Sequence, residues 1–126
     1  MKLLLDTHAF VWAAVEPERL SPRVRRLLTD RRNDVLLSAA SGYEIEFKRH
    51  RDAVLASMPL DLDGAVQAME FQWLAITVAH AGAAGRLARL HGDPFDRILV
   101  AQALEERAAL VTMDARLPAY GATIVW

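Results

Sequence analysis

The chain has 126 residues, of which 53% are hydrophobic and 25% charged, with no cysteine and a net charge of −1. That length suits one compact domain over residues 1–126, and the composition is globular, not disordered. Disulfides, thiolate metal sites and a cysteine nucleophile are excluded, and the charge balance excludes a uniformly basic nucleic-acid binder.

Only three apolar residues follow Met1-Lys2 before Asp6, too few for a signal-peptide core, and no apolar run approaches the length of a membrane span. A cytoplasmic protein without membrane contact is expected. Thirteen of the fifteen basic residues are arginine. Arg23, Arg25, Arg26, Arg31 and Arg32 crowd one segment, while Lys48, Arg49 and Arg51 form a second group. Arginine suits bidentate phosphate contacts, although a solvated helix face explains such clusters equally well.

Lys2-Leu3-Leu4-Leu5-Asp6-Thr7 reads as a central strand, because three consecutive leucines leave no polar face and require cover on both sides. Asp6 ends it, at the sheet edge where ligands bind in open α/β folds, unless it only caps a helix. A first helix is expected over residues 8–15, capped by Thr7, with Phe10, Val11 and Trp12 inward. Ser21-Pro22 starts a second, to about residue 32. Residues 34–38 form the second strand and 39–51 the third helix. Asp61 starts a helix to about Trp73, followed by a strand at residues 74–76. Thr77 caps a helix over 78–91 whose many small residues suit either a homodimer surface or internal packing. Asp93-Pro94 opens a strongly marked helix to about Arg107, a strand follows at 109–112, and a last strand runs over 123–126. The alternation implies right-handed crossovers and an α/β fold of three layers, a mostly parallel central sheet flanked by helices.

Four acids recur where such a sheet brings them together: Asp6, Glu44, Asp96 and Asp114. Each has a plain alternative, since Glu44 can pair with Lys48, Asp96 can serve a helix N-terminus near Asp93, and Asp114 can shape a turn. Clustered, they pose an electrostatic problem. Two carboxylates about 4 Å apart repel by roughly 4 kcal/mol at an effective dielectric of 20. Such a group either holds protons or surrounds a cation, and oxygen donors without His or Cys select Mg²⁺ or Mn²⁺. With only Lys2 and Lys48 in the chain, and Arg97 on another side of its helix, a metal is the simpler solution.

The ordered set Leu3-Leu4-Leu5-Asp6-Thr7-His8, Ser41-Gly42-Tyr43-Glu44-Ile45, the stretch from His91-Gly92-Asp93-Pro94-Phe95-Asp96-Arg97 to Ala103, and Leu110-Val111-Thr112-Met113-Asp114 resembles PIN-domain proteins. Within them it is similar to VapC-type toxins of bacterial toxin–antitoxin pairs. The resemblance implies a Mg²⁺-dependent endoribonuclease, with Mn²⁺ as a substitute, that hydrolyses RNA to 5′-phosphate products. It assigns Asp6, Glu44, Asp96 and Asp114 to catalysis, the three aspartates to the metal, and Thr112 to holding Asp6. Thr7 and Asp93 are supporting residues, Asp93 as an N-cap. Lys48 and Arg97 are candidate phosphate contacts. A VapB-type antitoxin and a homodimer are implied partners. Glu46 is an extra acid that leaves two candidates for the glutamate facing the site, of which Glu44 holds the motif position.

Rival readings fit less well. A receiver domain needs a lysine after a late strand, and nucleotide-binding folds need a glycine-rich turn. A metal-independent ribonuclease would use His8 and His91, leaving the acids to repel phosphate. A PIN-fold binding protein with lapsed catalysis is the main alternative, and retention of all four acids counts against it.

Overall fold

A computed structural model describes residues 1–90 and 92–126. Its strands β1 (Lys2–Leu5), β2 (Asp34–Ser38), β3 (Gln72–Leu74), β4 (Ala109–Val111) and β5 (Ile124–Val125) form one parallel sheet in the order β3-β2-β1-β4-β5. β1 is the central strand, and its three leucines leave it no polar face. Leu3 and Leu5 enter the core on one side of the sheet and Leu4 the core on the other, all three fully buried. Side-chain alternation along a strand produces that division, so cover on both faces is obligatory.

The helices are α1 (Thr7–Val15), α2 (Pro22–Thr29), α3 (Ala39–Lys48), α4 (Ala53–Ala56), α5 (Leu62–Ala68), α6 (Val78–Arg86) and α7 (Pro94–Glu106). From β1 the chain steps outward through β2 to β3, and the crossovers put Phe10, Val11, Val24, Leu55 and Val66 on the face of Leu3 and Leu5. It then returns past β1 to β4. That reversal puts α7, through Leu99, Val100 and Ala103, on the face of Leu4. A 3₁₀ turn at Leu117–Tyr120 adds Leu117 to the same core. The switch in direction falls between β1 and β4, and their carboxyl ends open a crevice there.

Several boundaries differ from expectation. Asp6, not Thr7, is the N-cap of α1, accepting from the Ala9 N–H at 2.7 Å. α2 and α3 stop earlier than their periodicity suggests, at Thr29 and Lys48, and residues 53–56 add a helical turn. The third strand lies at Gln72–Leu74 instead of 74–76, because α5 ends at Ala68 and Glu70 turns the chain with a positive φ of 59°. α6 ends at Arg86, short of residue 91, which lies outside the described residues.

α6 packs on α7, burying His80 and Ala84, while Ala79, Ala81 and Gly85 stay exposed. Thr77 and His80 form a reciprocal cap. His80 Nδ1 accepts from the Thr77 N–H at 3.1 Å, so Nε2 carries the proton and donates to Glu106 at 3.0 Å. One histidine thus ties the start of α6 to the end of α7. No helix among the described residues is long and apolar enough to cross a membrane.

Candidate active site

The crevice at the switch point is a cleft of about 400 Å³ whose lining includes Asp6, Glu44, Asp93, Asp96 and Asp114. Four separate segments deliver these carboxylates. Asp6 follows β1, Glu44 projects from α3, Asp93 and Asp96 belong to the first turn of α7, and Asp114 follows β4. Residues more than one hundred positions apart in sequence meet because β1 and β4 are adjacent strands.

Asp6 sits on the cleft floor with one carboxylate oxygen committed to the α1 cap. Burial pushes its carboxyl above the usual range, against hydrogen bonds from Thr112 and the Ala9 N–H and the nearby His8; the Glu44 charge adds a smaller upward push. Thr112 is buried and serves two acids. Its hydroxyl bonds to Asp6, and its oxygen accepts from the Asp114 backbone N–H at 3.1 Å.

Glu44 is buried and bound from both sides. Thr7 Oγ1 lies 2.5 Å from Glu44 Oε1 and 3.0 Å from Ser41 Oγ. One hydroxyl carries one proton, so Thr7 donates to the carboxylate and Ser41 donates to Thr7. Lys48 Nζ donates to Oε2 at 2.6 Å. The pairing of Glu44 with Lys48 and its presence in the cleft are therefore both true. Glu46 is exposed and bonded to Arg49, outside the cleft lining.

Asp93 caps α7 by accepting from the Phe95 N–H at 2.9 Å. Asp96 is partly buried three residues later. Asp114 is gripped by Arg116: the Arg116 backbone N–H and Nε donate to Oδ1 at 2.9 and 3.0 Å, and Nη2 donates to Oδ2 at 2.8 Å. Arg116 lines the cleft and did not figure among the sequence candidates. The local signal was available, since Asp30 and Arg32 share the same spacing and the same bonds, holding Asp30 at about 2.

Arg97 is a correction. It does not face the cleft: its guanidinium is buried and donates to the carbonyls of Ala84, Leu87 and Ala88 at 2.8–2.9 Å, so it closes the end of α6 instead of meeting phosphate. Of the aromatic residues, Phe10 is core, while Trp12 and Trp126 line the cleft with their rings edge to face at 5.8 Å. Trp73 is partly exposed, with its indole N–H on Asp63 and its ring against Gly42, where a Cβ would stand 3.2 Å from the ring. His8 lines the cleft, whereas His91 lies outside the described residues.

The donors are oxygens only, a set that in kind suits a hard divalent cation. Among the described residues, however, no three His, Asp or Glu side chains converge closely enough to hold a metal ion as placed. The grip of Lys48 on Glu44 and of Arg116 on Asp114 gives a physical reason.

The PIN domain family matches residues 3–122. Ribonuclease VapC22 of Mycobacterium tuberculosis is 31% identical over 117 residues, covering 91% of this chain and 88% of that protein. Among solved structures, VapBC2 from Rickettsia felis, bound to a DNA fragment from its promoter, has a TM-score of 0.75 at 17% identity, over 100% of this chain and 99% of that one. DNA-bound VapBC from Salmonella typhimurium has a TM-score of 0.71 at 16% identity, over 99% and 97%. FitAcB from Neisseria gonorrhoeae has 0.69 at 18%, over 98% and 96%. The structures share the fold, and the sequence match carries the kinship: this chain belongs to the PIN-domain family, among the VapC ribonucleases.

Proposed function

We propose that the chain is a divalent-metal-dependent endoribonuclease, acting in the cytoplasm as the toxin of a toxin–antitoxin pair. The observation that carries this reading is the delivery of Asp6, Glu44, Asp96 and Asp114 by four segments into one cleft at the topological switch point. Kinship with a protein named a ribonuclease supports RNA as the substrate. A VapB-type antitoxin and a second copy of the chain are the proposed partners, in keeping with the VapBC structures that share its fold.

Asp6, Asp96 and Asp114 are the proposed metal ligands, with Mg²⁺ the proposed ion and Mn²⁺ its substitute. A cation held there supplies charge to the scissile phosphate and acidifies water. The chain's own residues supply placement. Thr112 fixes the Asp6 carboxyl, Thr7 and Ser41 fix Glu44, and Asp93 anchors the turn that presents Asp96. Lys48 and Arg116 both line the cleft and are cations available to a phosphate oxygen at its rim.

The test is cleavage of a mixed RNA pool in Mg²⁺ or Mn²⁺ against EDTA, with Asp6→Asn and Asp96→Asn in parallel. The expected result is 5′-phosphate products from wild type with metal and from neither variant. Cutting that survives EDTA would transfer the chemistry to the histidines. A wild type that cuts nothing and gains no thermal stability from Mn²⁺ would favour the lapsed binding protein.

A further inference from the structure

Outside the cleft, the carboxyl end of α3 carries an aromatic surface that the catalytic reading does not use. Tyr43 and Phe47, one helical turn apart, are 60% and 51% exposed, with rings nearly parallel at 19° and centroids 5.7 Å apart. Phe95, from the first turn of α7, extends the row with its centroid 5.9 Å from Tyr43. Ile45 between them is fully buried, so α3 packs through that side and leaves these rings in water.

Cations frame the row. Lys48 Nζ lies 5.3 Å from the Phe95 centroid, and Arg51 Cζ lies 5.5 Å from that of Phe47. Lys48 also lines the cleft, so the aromatic row and the carboxylates share one boundary residue. Exposed π-faces beside positive charge match the chemistry by which proteins hold single-stranded nucleic acid, with bases on rings and phosphates on cations. The row's continuity with the cleft puts that strand in line with the carboxylates. Tyr43 and Phe47 stand too close together for a base to enter between them, so bases stack on the outward faces of the row.

We propose that Tyr43, Phe47 and Phe95, with Lys48 and Arg51, form a base-stacking platform that holds the single-stranded RNA flanking the cleaved bond. This rests on the ribonuclease reading and assigns the hold on unpaired RNA to these rings and cations and not to the carboxylates. A duplex keeps its bases stacked on one another and presents no face to the rings.

The test uses the full chain carrying Asp96→Asn, which suppresses cutting and reduces repulsion of RNA. Affinity for a fluorescein-labelled oligoadenylate and for a blunt RNA duplex is measured by anisotropy in EDTA, before and after adding Tyr43→Ala with Phe47→Ala. Oligoadenylate binding is expected to weaken at least tenfold and duplex binding to stay within twofold. Tyr43→Trp, with a larger face, is expected to retain affinity. Arg51→Gln is expected to flatten the dependence of log affinity on log salt by about 0.7. Unchanged oligoadenylate affinity in the double variant overturns the platform, as does a parent protein that binds no oligoadenylate. A double variant that keeps its affinity but changes from dimer to monomer in sedimentation assigns the surface to a second copy. Cutting of the RNA pool by wild type is scored separately, so the platform and the nuclease reading fail independently.

Discussion

Arg97 offers the sharpest separation between a residue that touches substrate and one that builds the scaffold. Its three hydrogen bonds to the Ala84, Leu87 and Ala88 carbonyls run from a buried guanidinium to the negative end of α6. Bonds from a charged donor contribute about 1.5–3 kcal/mol each when measured singly. Three bonds from one group are not additive, and desolvation of the guanidinium opposes them, so Arg97→Ala is expected to cost about 3 kcal/mol. Against a total stability on the order of 6–19 kcal/mol for this length, that is a large fraction, and it should lower Tm by about 10 °C. Arg97→Lys keeps the charge but cannot span three carbonyls, and should fall between the two. Thermal and urea unfolding in EDTA, without RNA, reads this directly. An alanine variant that melts within 2 °C of wild type but has lost RNA affinity would refute the structural role and return Arg97 to the phosphate.

The remaining predictions concern the cleft. Asp6 has a folded carboxyl raised above its ordinary 3.8, mainly by burial. Its contribution to stability is therefore full below the unfolded value and lost as pH rises through the folded one. Asp6→Asn should melt above wild type at neutral pH in EDTA, the gap should close toward pH 3.8, and Mn²⁺ should stabilise only wild type; a variant that melts lower at pH 7 would contradict this, since Asn still caps α1. Thr7→Val removes the proton given to Glu44 and is expected to cost about 1–2 kcal/mol in urea unfolding, an effect that should vanish in a Glu44→Gln background if the bond is its cause. Arg116→Gln removes one largely exposed partner of Asp114. Exposed pairs contribute little, so Mn²⁺ affinity by calorimetry should rise modestly, and weaker binding would mean that Arg116 helps assemble the site.

How legible the fold was depended on whether a residue's role is decided locally. Leu3-Leu4-Leu5 admits one kind of strand, and Asp93-Pro94 starts a helix by chemistry confined to two residues, so both were readable. The position of β3 was not. Met69 and Phe71 continue a helical spacing, and only the left-handed turn at Glu70, a residue type that gives no warning of positive φ, breaks it. The carboxylates were readable as a set because strand order brings their segments together. What each one binds was less so. Arg97 needed the end of α6, a partner nine to thirteen residues earlier whose own boundary the sequence placed too late. The direction of Tyr43 and Phe47 depended on Ile45 taking the buried side of α3.

Clustered acids were expected to keep protons or to surround a cation, with neutralisation by the chain's two lysines set aside as the less simple solution. The chain supplies counterions of its own, Lys48 on Glu44 and Arg116 on Asp114, and burial raises the Asp6 carboxyl. These devices differ in how easily they yield. The Arg116 side chain is 67% exposed, so water compensates most of what it loses on leaving Asp114, whereas Lys48, 30% exposed on a buried Glu44, yields only when another anion replaces that carboxylate. A guanidinium or ammonium released at the cleft rim has a second anion to meet when RNA arrives, the phosphate itself, and arginine matches that geometry bidentately as well as it matches Asp114. The upward push on the Asp6 carboxyl is as reversible, since a cation in the cleft opposes the desolvation that causes it. On this argument the same residues keep the free protein from carrying a cluster of unscreened negative charge and cost little to displace, so an acidic cleft can admit a polyanion.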